Sequence, residues 1–212
     1  MLPIANRNEY LADLARDKRV LDVGVVAHVA DARLGASWLH RKIVKAAKTC
    51  LGVGILDEGI AQLKADGFNV RQADITRDVI EGEYDVMVCG EIIEHLGNLA
   101  ALFQAAQRVL APGGRLVITS VNPYCLGRVR SYVIGRHQDS VDHTCLVGPS
   151  NVAELADREG LQLVSYRGVT VGSDQARTLA GKVTFWARPL LLCVGVTPEA
   201  FCETMVYECV KP

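Results

Sequence analysis

Paired cysteines are missing from this sequence. Its seven cysteines, at 50, 89, 125, 145, 193, 202 and 209, are odd in number and include no Cys-x-x-Cys pair. That spacing, with mostly apolar neighbours, excludes a disulfide framework and a zinc site; buried free thiols and no metal are expected. A charge excess is missing as well. Lys and Arg number 23 against 24 Asp and Glu, a formal net charge of −1. Nothing therefore draws the chain toward nucleic acid or an anionic membrane, and neither is an expected partner. No apolar run is long enough to cross a bilayer, since the stretch from Val183 to Val196 is broken by Arg188 and Pro189. Residues 1–19 carry charges throughout and lack the apolar centre of a signal peptide. A cytoplasmic location is the expectation. Repeats, low-complexity tracts and linkers are also lacking, and residues 1–212 are expected to form one domain.

What the chain does have is apolar content and alternation. Half of its residues are hydrophobic and 22% are charged, an ordinary globular composition able to bury a sizeable core. Strand-length apolar runs alternate with helical patterns, which signals a mostly parallel sheet covered on both faces. Strands are predicted at Arg19–Val23, Cys50–Ile55, Asn69–Ala73, Tyr84–Cys89, Arg115–Thr119, Leu161–Tyr166 and Glu203–Lys211. Helices are predicted around Glu9–Ala15, Trp38–Ala47, Asp57–Ala65, Asn98–Leu110 and Ser150–Glu159, the last capped by Ser150.

In doubly wound sheets the ligand sits beyond the carboxyl ends of the strands, where the strand order reverses. The first strand ends in Val20-Leu-Asp-Val-Gly24, and its glycine lets the backbone approach a ligand closely. The fourth ends in Cys89-Gly-Glu-Ile-Ile-Glu-His-Leu96, and the fifth is entered through Arg108-Val-Leu-Ala-Pro-Gly-Gly-Arg115. Over roughly residues 17 to 170 these motifs, in this order and spacing, resemble the class I S-adenosylmethionine (SAM) methyltransferases with a Glu-His-Leu after strand four.

The resemblance implies a Rossmann-like α/β fold: a doubly wound, seven-stranded sheet, mostly parallel with an antiparallel last strand, helices on both faces. It implies S-adenosyl-L-methionine as cofactor. Asp22, Gly24 and Val25 match the loop that holds its methionine part. Asp74, followed by Ile75, matches the acidic residue that bonds the adenine amino group, and the adenine is expected near Ile55; a loop aspartate capping a turn is the other reading of Asp74. Gly90 and Glu91 match the segment that flanks the cofactor.

Two departures stand out. The family's Gly-x-Gly-x-Gly loop is here Gly24-Val-Val-Ala-His28, with only the first glycine kept. The carboxylate that binds both ribose hydroxyls at the end of strand two is replaced by Gly54. Such a charge-assisted hydrogen bond contributes roughly 1.5–3 kcal/mol, so its loss corresponds to about 10- to 100-fold in affinity. Asp57 or Glu58 either reaches the ribose instead or serves the dipole of the following helix.

Methyl transfer needs alignment of nucleophile and methyl group, and a hydroxyl or amine acceptor gains from a general base. His95 is a candidate base or a support beneath the site together with Glu94. His143, in the loop after strand five, is a candidate base facing the acceptor, its ring oriented by Asp142 or another carboxylate, or a loop histidine without a role; His137 is a weaker candidate. Trp38-Leu-His-Arg41 reads as core packing, a lid or an interface anchor. Phe185–Leu192 reads as a buried element, an acceptor surface or the seam of a homodimer. The expected activity is methyl transfer to a small-molecule or sugar-containing (glycan) acceptor. The alternative is a non-catalytic, methyltransferase-like binding protein. A nicotinamide dehydrogenase fits poorly, because the glycines and the acid that it needs after strands one and two are missing.

Overall fold

Asn6 opens the first helix: its side-chain oxygen accepts from the backbone N–H groups of Asn8 (3.1 Å) and Glu9 (3.2 Å). Two donors that α1 (Arg7–Leu14) leaves without helical partners are thereby met. The computed structural model describes residues 2–26, 38–136, 140–170 and 188–212. After α1 follow β1 (Arg19–Val23), α2 (Leu39–Ala46), β2 (Thr49–Gly54), α3 (Asp57–Ala65), β3 (Val70–Gln72), β4 (Tyr84–Gly90), α4 (Leu99–Val109), β5 (Leu110–Val121), α5 (Leu126–Val133), α6 (Pro149–Arg158), β6 (Gln162–Val169) and β7 (Thr204–Val210).

The seven strands form one sheet in the order β3-β2-β1-β4-β5-β7-β6. β1 to β5 pair in parallel, while β7 inserts antiparallel between β5 and β6, as expected. On one face Leu21, Met87 and Ile118 pack with Leu102 and Phe103 of α4 and Val152 of α6. On the other, Val20, Val88 and Val117 pack with Leu11 of α1 and Ile43 of α2. Apolar side chains alternate to both faces of β1, β4 and β5, which is why those strands read as continuous hydrophobic runs. The order reverses between β1 and β4, so the ligand crevice belongs at their carboxyl ends. Among the described residues no helix is long and apolar enough to cross a membrane.

Several expectations need correction. Ser150 lies inside α6; the cap is Gly148, whose backbone N–H donates to the side chain of Asn151 (3.0 Å). α5 was not anticipated; Leu126, Val129 and Val133 stand at helical spacing, but no residue of the helix is buried. The thiols are free, but Cys193 is exposed. Leu190 and Val194, in the apolar run near the C-terminus, are 69% and 70% exposed, so this part is not core. Phe185 and Trp186 of that run lie outside the described residues.

Candidate functional site

At the carboxyl ends of β1, β2, β3 and β4 lies a cleft of about 1160 Å³. That exceeds the roughly 300–1,000 Å³ of most small-ligand sites, so it has room for a cofactor and a small acceptor together. All nine residues expected to hold a cofactor border it: Asp22, Gly24, Val25, Gly54, Ile55, Asp74, Ile75, Gly90 and Glu91.

The turn after β1 requires glycine twice over. Gly24 has φ +83°, and a Cβ there would lie 2.4 Å from Cγ2 of Ile92. The next two residues replace glycine geometry with packing. Val25 is buried with Trp38, Ile60 and Leu63, and Val26 sits so close to Gly59 that a Cβ on that glycine would fall 2.3 Å from Cγ1 of Val26. Ala27 and His28 lie outside the described residues. Gly54 is different: a Cβ there meets Ile60 at 3.6 Å and Val26 at 3.7 Å, ordinary contact. The missing carboxylate at the end of β2 is thus not forced by space. Asp57 and Glu58 occupy the first turn of α3 and neither borders the cleft, which fits the helix-dipole reading.

Ile55 borders the cleft while 66% exposed, an apolar surface open to a ligand. Beside it, Oδ1 of Asp74 accepts from the hydroxyl (2.6 Å) and the backbone N–H (2.9 Å) of Thr76. The Thr76 hydroxyl above all holds the Asp74 carboxyl below the usual carboxylate range. Asp74 therefore caps a turn with one oxygen. Its Oδ2 lies 3.6 Å from the exposed Arg77 Nε.

The sequence reading missed His40. Its Nδ1 lies 2.8 Å from Oδ2 of Asp22, and both residues are buried in the cleft wall. A carboxylate only accepts, so Nδ1 carries the proton. His40 Nε2 is buried with no hydrogen-bond partner among the described residues. The only signal available in sequence was a histidine within Trp38-Leu-His-Arg41. Trp38 itself is core, packed edge-on against Phe68 at 5.2 Å.

At the far end Glu91 adopts φ 54°, unusual for a residue with a side chain, and pairs with Arg7 of α1 at 2.5 Å. His95 borders the cleft in the 3-10 turn Ile93–His95, and its Nδ1–H donates to the carbonyl oxygen of Asp142 (3.1 Å). His143 does not border the cleft. Its ring stands edge-on to that of His95 with centroids 5.0 Å apart, and its Nδ1 is buried without a partner among the described residues. Asp142 thus orients His95, through its backbone, rather than His143. Glu94 is buried and accepts from the Ser120 hydroxyl at 3.0 Å, while its carbonyl accepts from the backbone N–H of Thr144 at 2.8 Å. This ties the loop after β5 to the turn after β4. Glu94, His95 and His143 each bring one potential metal-ligand atom within 4.8 Å of the others. His137 lies outside the described residues.

Residues 2–166 match the family model described as "Methyltransferase domain". The chain is 28% identical over 175 residues to a ubiquinone biosynthesis O-methyltransferase of Shewanella halifaxensis, covering 72% of this chain and 67% of that one. It is 26% identical over 159 residues to the enzyme of the same description from Burkholderia thailandensis, covering 72% and 68%. Among solved structures, magnesium protoporphyrin IX methyltransferase from Synechocystis with bound SAH aligns over 97% of this chain and 82% of that one, with TM-score 0.61 and 14% identity. N-methyltransferase NodS from Bradyrhizobium japonicum in complex with S-adenosyl-L-homocysteine aligns over 97% and 86%, with TM-score 0.58 and 17% identity.

Proposed function

We propose, since the chain belongs to the methyltransferase-domain family, that it transfers the methyl group of SAM to a hydroxyl oxygen of a small-molecule acceptor. It is a SAM-dependent methyltransferase; the identity of the atom methylated is the proposal. The observation that carries the reading is the cleft, where the Gly24 turn, the apolar edge at Ile55 and the half-buried His95 border one space.

The cleft fits the cofactor. Gly24 and Val25 form the close backbone turn for its methionine end, and Ile55, Asp74 and Ile75 make an apolar and acidic border for the adenine. Gly90 and Glu91 close the side next to β4. When bound, SAM supplies an electrophilic methyl group on a sulfonium, and the protein's task is mainly alignment. His95 takes the proton of the acceptor hydroxyl. Because its Nδ1–H is committed to the Asp142 carbonyl, the basic nitrogen is Nε2. His143 supports this ring from behind.

The O-directed reading draws on the relatives described as O-methyltransferases. A sugar-containing acceptor has no counterpart among them, and the non-catalytic alternative gives way to the enzyme reading. The whole chain acts as one domain in this reading, in the cytoplasm. The test is incubation with methyl-labelled SAM and a panel of hydroxylated aromatic acceptors. Label in a methyl ether is expected; label only on nitrogen or carbon, or none at all, overturns the proposal.

A further inference from the structure

We infer that His40 is a positioning residue for cofactor binding: it holds the Asp22 carboxylate at the start of the loop that takes the methionine end. The inference rests on the SAM-binding reading above. Asp22 sits at the carboxyl end of β1, two residues before the Gly24 turn, and the two residues of the pair are 3% and 1% exposed. The rings of Trp38 and Phe68, with centroids 5.2 and 5.6 Å from that of His40, wall the imidazole with apolar surface. Its hydrogen bond to Asp22 thereby runs where little water competes.

The neighbouring strand is adapted to this ring. Asp22 pairs with Gly52 in the parallel register of β1 and β2. A Cβ at Gly52 would lie 2.7 Å from Cε1 of His40. Glycine inside a strand weakens it and marks a close approach; here the imidazole approaches together with Cγ1 of Val70 (2.9 Å) and of Val25 (3.0 Å). Packing alone accounts poorly for the arrangement. A buried polar pair is often replaced by well-packed apolar residues without loss of stability, and this one leaves the second ring nitrogen without a partner among the described residues.

The chemistry of the ligand gives the pair a purpose. Besides its ammonium and carboxylate, SAM carries a sulfonium at its methionine end and so one net positive charge there, whereas S-adenosylhomocysteine (SAH) has the ammonium and carboxylate alone. A fixed carboxylate at Asp22 favours the form that carries the sulfonium. Without the Nδ1–H donor that carboxylate is no longer held in place, and the preference for SAM over its product falls.

Calorimetry with SAM and with SAH, on the full chain, tests this with His40→Leu and His40→Asn, melting temperatures being taken alongside. His40→Leu is expected to weaken SAM by roughly 10- to 100-fold, the size of a hydrogen bond to a charged group, and SAH by less. His40→Asn keeps a donor close to the position of Nδ1 and is expected to recover most of the affinity. Equal losses for SAM and SAH in both variants, or no loss in either, overturn the inference. Should His40→Leu fail to fold, the wild-type protein labelled with 15N-histidine gives the answer. The low-field imidazole proton bonded to Asp22 should shift on addition of SAM more than on addition of SAH, and no shift with either ligand overturns the inference. Wild-type protein that binds neither ligand sinks the SAM reading itself, and this inference with it.

Discussion

The Nδ1–H of His95 donates to the carbonyl oxygen of Asp142 at 3.1 Å, so a loop beyond β5 selects which nitrogen of a histidine beyond β4 is basic. Because the acceptor is backbone, no side-chain change at Asp142 removes it. An Asp142→Ala variant is therefore expected to keep most of its activity. His95→Gln should lower kcat by about 10²- to 10⁴-fold, the usual contribution of a general base, while SAH binding stays as it was. His143→Ala should cost less than His95→Gln, since His143 supports the ring and does not reach the cleft. Steady-state kinetics with SAH calorimetry separates these outcomes; a larger loss at His143 than at His95 contradicts the assignment.

Gly54 invites a gain of function. A Cβ there meets nothing closer than 3.6 Å, so Gly54→Asp can start a side chain at the end of β2 without its Cβ displacing a neighbour. SAM affinity should rise by up to about 100-fold if that carboxylate reaches the ribose hydroxyls. Calorimetry on both proteins measures it. An unchanged affinity in the variant, with tight binding by the native protein, means that another group already holds the ribose.

The sheet was legible wherever local pattern and burial agree. β1 and α3 have the predicted limits, and the antiparallel place of β7 followed from the family resemblance. α5 was missed although Leu126, Val129 and Val133 stand at helical spacing, a short stripe of which no residue is buried. Ser150 was a good cap by residue type, yet Asn151 reaches back to Gly148 and the helix starts earlier. The glycine-bearing turns and acidic strand ends of the cleft could be placed because each follows a recognisable strand. His40 could not: its partner Asp22 is 18 residues away. Only the third dimension shows that Gly52 leaves room for the ring.

Alkaline pH should loosen the far end of the sheet. The Tyr10 hydroxyl donates to Oε1 of the buried Glu208 at 2.5 Å and also contacts Arg167. Burial first, and then the hydrogen bond to Glu208, pushes the Tyr10 phenol up from 10.0 to about 12. The folded protein thus holds this proton more tightly than the unfolded chain. Its contribution is complete below pH 10 and is lost as pH rises from 10 toward about 12. Tyr10→Phe should lower stability at neutral pH and flatten the decline over that window. Denaturant melts of both proteins at several pH values check it, and equal slopes would contradict the assignment.

The central claim is that the cleft beyond β1 and β4 holds SAM, and a crystal structure of the protein with SAH bound tests it most directly. The adenine is expected between Ile55, Asp74 and Ile75, with its amino group toward Oδ2 of Asp74. The ribose should lie near Gly54 without a carboxylate on its hydroxyls. The methionine end should run along Gly24 and Val25 above the Asp22–His40 pair, its sulfur turned toward the His95 end of the cleft. SAH bound at another surface, or its sulfur turned away from His95, would contradict the account.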